Sequence, residues 1–167
     1  MRPDQIRIVE VGPRDGLQNE GQPLTPQERV ALIEQLADAG LRNIEAGSFV
    51  SPRWVPQMAG SDEVLIALAE RKDLRLPVLV PNKKGYELSR GAGAREIAVF
   101  GAASETFSQR NINCSIAESL TRFGEVCALA KADGVVIRGY ISCVLGCPID
   151  GDVAPEQVAA IARELLD

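Results

Sequence analysis

Five short runs of β-branched and aliphatic residues recur along the chain, at 6–12, 43–48, 74–80, 96–100 and 135–143, each followed by a stretch with helical character. Strands separated by helical crossovers lie parallel, and the crossovers are right-handed. The helix signals are explicit. Thr25-Pro26-Gln27-Glu28 offers an N-cap, a proline at the first helical position and an acid in the first turn, for a helix running to Ala39 and stopped by Gly40. A second helix is predicted over 61–72, with Ser61 or Asp62 as its cap. A short third follows Lys83 and ends near Gly91 and Gly93. The longest is predicted over 115–132, where Ser115 and Glu118 have capping-box spacing, and a last one opens at Ala154-Pro155-Glu156.

Two architectures accommodate five βα units. A doubly wound sheet is complete at 167 residues, whereas a (β/α)8 barrel needs about 250. Length favours the sheet. The strands themselves favour the barrel, because Glu10, Glu45 and Arg138 each sit among apolar neighbours in mid-strand. A charge buried in a sheet is costly unless paired, and a barrel interior gathers inward side chains from several strands that can pair it. The expected fold is therefore α/β, a parallel (β/α) TIM barrel that is incomplete, with about five of eight units.

Composition narrows the function. Net charge is −5, with no basic stripe, so nucleic acid is not an expected partner. No apolar run approaches the ~20 residues that span a bilayer, and nothing at the start resembles a secretory signal. A cytoplasmic protein is expected, with Cys114, Cys127, Cys143 and Cys147 reduced. Cys143 and Cys147 have no second ligand pair to make a zinc site and are read as core thiols or as neighbours of the site. There is no histidine at all, so these residues cannot complete a mechanism that needs imidazole. No Walker A loop or dinucleotide fingerprint is present, since Gly91-Ala-Gly93 precedes a strand instead of opening a helix.

In either architecture the chemistry sits in the loops after the strands. The first loop, GPRDGLQNE (12–20), puts Arg14 and Asp15 directly after the first strand. A carboxylate there suits a hard divalent cation such as Mg²⁺ or Mn²⁺. A guanidinium suits a substrate carboxylate or a developing oxyanion. The competing reading is a turn whose Arg and Asp pair with each other. Glu45 ends the second strand and is a candidate for proton transfer or for ordering a metal-bound water; its competing role is a satisfied charge inside a barrel layer. Asn82, Ser104 and Asn111 are polar loop residues that bind substrate or simply cap helices.

The loops, taken together, resemble one family. GPRDGLQNE, IEAGSFVSPRWVPQM (44–58), PNKKGYE (81–87), VFGAASETFSQRNINCSIAES (99–119) and RGYISCVLGCP (138–148) are similar to the signatures of hydroxymethylglutaryl-CoA lyases, members of a metal-dependent TIM-barrel lyase and synthase superfamily. The first motif is shared with related synthases, and the RNINCS and RGYISC segments narrow the resemblance to the lyases. The resemblance implies cleavage of 3-hydroxy-3-methylglutaryl-CoA to acetyl-CoA and acetoacetate, in leucine breakdown, by a metal-assisted retro-Claisen reaction. It implies a metal-binding role for Asp15, a catalytic and substrate-contacting role for Arg14, an active-site role for Glu45, and substrate or shell contacts for Ser48, Asn111 and Tyr140. It implies Mg²⁺ or Mn²⁺ and a small acyl-CoA substrate. An isopropylmalate- or citramalate-type synthase, or a half-barrel that binds CoA or a partner without catalysis, are the alternatives.

The family pattern continues past what this sequence contains, with an aspartate, a His-x-His metal pair, a cysteine loop and a metal-binding asparagine in later units. None of the four cysteines lies in that cysteine-loop motif. Residues 1–167 are thus expected to form the N-terminal portion of a single catalytic barrel domain, inactive alone. Its expected partners are a complementing C-terminal fragment or a second copy of the chain.

Overall fold

The computed structural model describes residues 6–166. Its strands are β1 (Gly47–Ser48), β2 (Val78–Leu79), β3 (Glu96–Ala102) and β4 (Val136–Ser142), and its α-helices are α1 (Pro26–Asp38), α2 (Ser61–Ala67), α3 (Lys83–Gly91), α4 (Glu105–Ile112), α5 (Ile116–Ala132) and α6 (Pro155–Leu166). The four strands pair in the order β1-β2-β3-β4, all parallel. Of the strand predicted over 6–12, only a single parallel bridge forms, from Glu10 to Ile44 on the β1 side, and Gly12 already belongs to the turn that follows. Strand order therefore follows chain order with no reversal. A doubly wound sheet has a switch point where the order reverses; four parallel strands and a flanking bridge without one form an arc of a (β/α) barrel.

The outer layer explains the arc. Ile33 and Ala37 of α1, Val64 and Leu65 of α2, Tyr86 of α3, and Phe123, Val126 and Ala130 of α5 form one cluster with Ile44, Ala46, Val78, Val80, Ile97 and Val99. Side chains alternate between faces along a strand. With Ile44 and Ala46 in this cluster, Glu45 faces the other way. Gly139 marks the same division in β4, since a Cβ there would meet Leu165 of α6, which leaves Arg138 and Tyr140 on the concave face.

Both capping boxes form as expected, Thr25 with Glu28 and Ser115 with Glu118. Three further expectations need correction. The strand predicted over 74–80 is broken into a bridge at Arg75 and the short β2, because Pro77 between them has no N–H for the ladder. The second helix is capped by neither Ser61 nor Asp62: Gly60 takes that place in the left-handed region (φ 70°), and the helix ends at Ala67. Ser61 turns inward instead. The run from 104 to 112, read as loop, contains α4, capped by Ser104 and ended by Asn113 at φ 51°.

Tyr86 ties α3 to α5 by donating to Asp133 Oδ2 at 2.6 Å. Burial, followed by the Asp133 carboxylate, pushes its phenol up to about 12. The folded state thus holds the proton longer than an unfolded tyrosine with pKa near ~10. Its contribution is complete below about pH 10 and is lost as pH rises toward the folded value. In alkaline titration by ultraviolet absorbance, we expect Tyr86→Phe to remove the late phenolate step and to flatten the loss of stability in that window.

Candidate active site

The bridge at Glu10 is followed by Val11, whose carbonyl accepts from the amides of Arg14, Asp15 and Gly16 at 3.1, 2.7 and 3.4 Å. This tight turn, Gly12–Gly16, includes a proline that has no N–H to satisfy. It presents Arg14 and Asp15 together. Arg14 donates through Nε and Nη2 to Glu45 Oε2 at 3.2 and 3.1 Å, and through Nη1 to Asp15 Oδ1 at 2.7 Å. As the competing reading of the turn expects, the two residues pair with each other, and the same guanidinium also reaches 31 positions along the chain to Glu45. Tyr140 joins them, its hydroxyl donating to Glu45 Oε2 at 3.5 Å.

Glu45 is the centre of the cluster and is fully buried. Its Oε2 receives Arg14 and Tyr140, while its buried Oε1 has no hydrogen-bond partner among the described residues. Such an atom is rare in a folded protein and leaves this carboxyl group with unused acceptor capacity. Burial raises the Glu45 carboxyl above the ordinary range; Arg14 opposes this, and the nearby Asp15 charge adds to it. The native state therefore binds a proton that the unfolded chain has already released. Stability from this group is greatest below the ordinary glutamate pKa and declines as pH rises through the folded value. Denaturation midpoints measured across that range should fall with pH in the native sequence and lose that component in Glu45→Gln.

A second charged group lies on β3 and β4. Arg75 reaches Glu96 Oε2 at 2.9 and 2.7 Å, and Arg138 lies 3.9 Å from Glu96 Oε1 and 6.0 Å from the Tyr140 ring centre. The mid-strand charges Glu45 and Arg138 are thus both partnered. Glu10 is satisfied locally, accepting from the Gly12 amide at 2.6 Å.

The other candidates divide. Ser48 is buried just after Glu45, its hydroxyl accepting from the Val50 amide at 3.2 Å and its amide donating to Ser61 Oγ at 3.1 Å. Asn111 is exposed in the last turn of α4, and among the described residues no hydrogen bond links it to the Glu45 cluster. Asn82 and Ser104 serve as helix caps, accepting from the amides of Gly85 and Phe107.

Sequence reasoning missed Arg29. It is fully buried in α1. It donates to the carbonyls of Ala59 and Ala46 at 2.8 and 3.4 Å and to Ser61 Oγ at 2.9 Å. Gly47 packs against this cluster so tightly that a Cβ there would lie 2.5 Å from Ser61 Oγ and 2.8 Å from the guanidinium. The backbone that follows Glu45 is therefore fixed from behind.

For a metal, the donors are right in kind and short in number. Asp15 is a half-exposed carboxylate, and the unpartnered Glu45 oxygen lies close by through Arg14; both suit a hard cation. Among the described residues, however, no group of three or more histidine, cysteine, aspartate or glutamate side chains is placed to hold one. No helix of the described residues is long and apolar enough to cross a membrane.

Comparison with known proteins adds the following. The HMGL-like family model matches residues 5–167. The chain is 59% identical over 162 residues to the hydroxymethylglutaryl-CoA lyase of Pseudomonas mevalonii, covering 97% of this chain and 54% of that protein. It is 58% identical over 163 residues to the 3-hydroxy-3-isohexenylglutaryl-CoA/hydroxymethylglutaryl-CoA lyase of Pseudomonas aeruginosa, covering 98% and 54%. A crystal structure of the hydroxymethylglutaryl-CoA lyase from Pseudomonas aeruginosa superposes with a TM-score of 0.93 over 98% of this chain and 55% of that one. A lyase from Acinetobacter baumannii solved with coenzyme A and 3-methylmalate, at 32% identity, superposes with a TM-score of 0.90 over 96% and 52%. The chain spans about half the length of the curated relatives it matches.

Proposed function

Because the chain belongs to the HMGL-like family, we propose that it is the N-terminal portion of one catalytic barrel domain that cleaves 3-hydroxy-3-methylglutaryl-CoA to acetyl-CoA and acetoacetate. The observation that carries this reading is the guanidinium of Arg14, held between Glu45 and Asp15 beside an unpartnered buried carboxylate oxygen.

A guanidinium has five N–H donors. Two of Arg14 go to Glu45 and one to Asp15, leaving two uncommitted among the described residues. They are oriented before substrate arrives, which is what stabilises charge that grows on an enolate oxygen as a C–C bond breaks. Glu45 fixes that orientation and, through Oε1, has acceptor capacity for a substrate hydroxyl or an ordered water. Asp15 is the carboxylate we assign to a Mg²⁺ or Mn²⁺ ion, which supplies Lewis acidity toward substrate oxygens when bound. Ser48, Asn111 and Tyr140 are assigned to substrate contact or to shaping the pocket. No imidazole occurs in these 167 residues, so any histidine ligand comes from outside them, from the rest of the barrel or from a second chain. A cytoplasmic location in leucine breakdown belongs to the same proposal; four free cysteines are compatible with a reducing compartment.

The test joins these residues to the remaining barrel units of the Pseudomonas mevalonii relative. The joined protein is given 3-hydroxy-3-methylglutaryl-CoA, a longer-chain 3-hydroxyglutaryl-CoA, or acetyl-CoA with 2-oxo acids. Cleavage of the first with metal present is the expected result. Condensation of acetyl-CoA with a 2-oxo acid, without cleavage, would replace this reading by the synthase one.

A further inference from the structure

Cys143 and Cys147 bracket the tight loop after β4, and their surroundings are built for thiol chemistry. Cys143 adopts a left-handed backbone (φ 64°), uncommon for a residue with a side chain. It turns the chain back, and a short antiparallel bridge between Cys147 and Gly151 closes the loop. The two cysteines thus stand four residues apart, one at the turn that opens this loop and one at the bridge that closes it. The Cys147 thiol donates to Ser104 Oγ at 3.1 Å, and Ser104 in turn donates to the Asp150 carboxylate at 2.6 Å. The Ile149 amide points at the Cys147 sulfur at 3.4 Å. These contacts form a proton path from a buried thiol to an exposed carboxylate, with an N–H placed to stabilise the thiolate left behind. Burial pushes the Cys147 thiol up, but hydrogen bonds involving Ser104, the 149–150 backbone and Cys143 outweigh it and leave the thiol below its ordinary value. Burial raises Cys127 and Cys143.

We propose that Cys147 is a peroxide-reactive thiol and that Cys143 resolves it, forming an intramolecular disulfide. Cys147 is 6% exposed, which restricts the oxidant to a small one, hydrogen peroxide. The Cys147 proton leaves through Ser104 and Asp150 to solvent. The thiolate attacks one peroxide oxygen, the O–O bond breaks, and a sulfenic acid and hydroxide form; the hydroxide takes up a proton. The Cys143 thiol, losing its proton, then attacks the Cys147 sulfur and expels the sulfenic oxygen as water. Two thiols are oxidised by two electrons, and one peroxide is reduced to two waters. The proposal does not rest on the lyase reading; the thiols sit where Ser104 caps α4, so oxidation removes the sulfur donor from that cap.

The test uses the reduced full chain, limiting hydrogen peroxide and peptide mapping by mass. The expected product has lost two hydrogens and links Cys143 to Cys147, with Cys114 and Cys127 still alkylatable; a thiol reductant reverses it. Cys143→Ser should stop at a sulfenic acid on Cys147 that dimedone traps. Ser104→Ala should slow the reaction by about tenfold. Consumption of Cys114 or Cys127 as fast as Cys147, or dimedone labelling of Cys143 ahead of Cys147 in the native sequence, would overturn the assignment.

Discussion

Replacing Arg14 by glutamine in the joined protein should lower kcat by about 10²–10³-fold, the range seen when one preorganised oxyanion donor is removed, with much less change in KM. Glutamine keeps one N–H near the substrate but loses the charge and the fork that engages Glu45 and Asp15 together. The damage has a second part. Arg14 lowers the Glu45 carboxyl against the effect of burial, so the variant leaves a buried carboxylate without its cation, and Glu45 then retains its proton at higher pH. The pH at which activity rises should shift upward in Arg14→Gln. Lysine should rescue poorly, because one ammonium cannot hold both carboxylates in the same geometry. Steady-state kinetics across pH separate these effects, and an unchanged kcat would remove Arg14 from the chemistry.

Arg29→Met should produce the largest loss of stability among single changes near the site. Methionine has nearly the arginine stem volume, so packing survives, but the carbonyls of Ala59 and Ala46 and the Ser61 hydroxyl lose a donor deep in the protein. Each buried acceptor left unmatched costs ~1–3 kcal/mol. The relief of desolvating a cation offsets part of this, and burial already lowers the Arg29 pKa. A net loss of about 2–3 kcal/mol is expected, read as a lower urea midpoint at unchanged slope. Gly47 and Ser48 lean on this cluster, so the residual folded protein should also bind substrate less tightly. A midpoint within error of the native value would show that the cluster tolerates the loss.

Local signals were readable wherever one short segment carries them. Thr25 with Glu28 and Ser115 with Glu118 announce their helices because a capping box is made by residues three apart. The five βα units are legible for the same reason. The choice between barrel and doubly wound sheet is written in no single segment, since both share the βαβ unit and differ in strand order. Mid-strand Glu45 and Arg138 pointed the right way because their cost demands partners from other strands. α4 was hidden: Glu105–Ile112 has too few apolar residues for a periodic stripe, and Ser104 and Asn113 at its ends were its only markers. Arg29 was hidden more deeply. In sequence it is one charge in an amphipathic helix, and its partners lie 17 to 32 residues away. Asn111 was singled out as a polar loop residue and again by resemblance, and its place in substrate binding belongs to the proposal.

The proposed role of these residues is to carry the Arg14–Asp15–Glu45 half of a metal-dependent lyase site. It is tested most directly by mixing the 167-residue chain with the complementary C-terminal half of the Pseudomonas mevalonii enzyme and measuring acetoacetate release from 3-hydroxy-3-methylglutaryl-CoA. Release should require both pieces and Mg²⁺ or Mn²⁺; with Asp15→Asn it should vanish at low metal and return in part at high metal. Metal-dependent release from the 167-residue chain alone, or full activity of the mixture with Asp15→Asn at low metal, would contradict it.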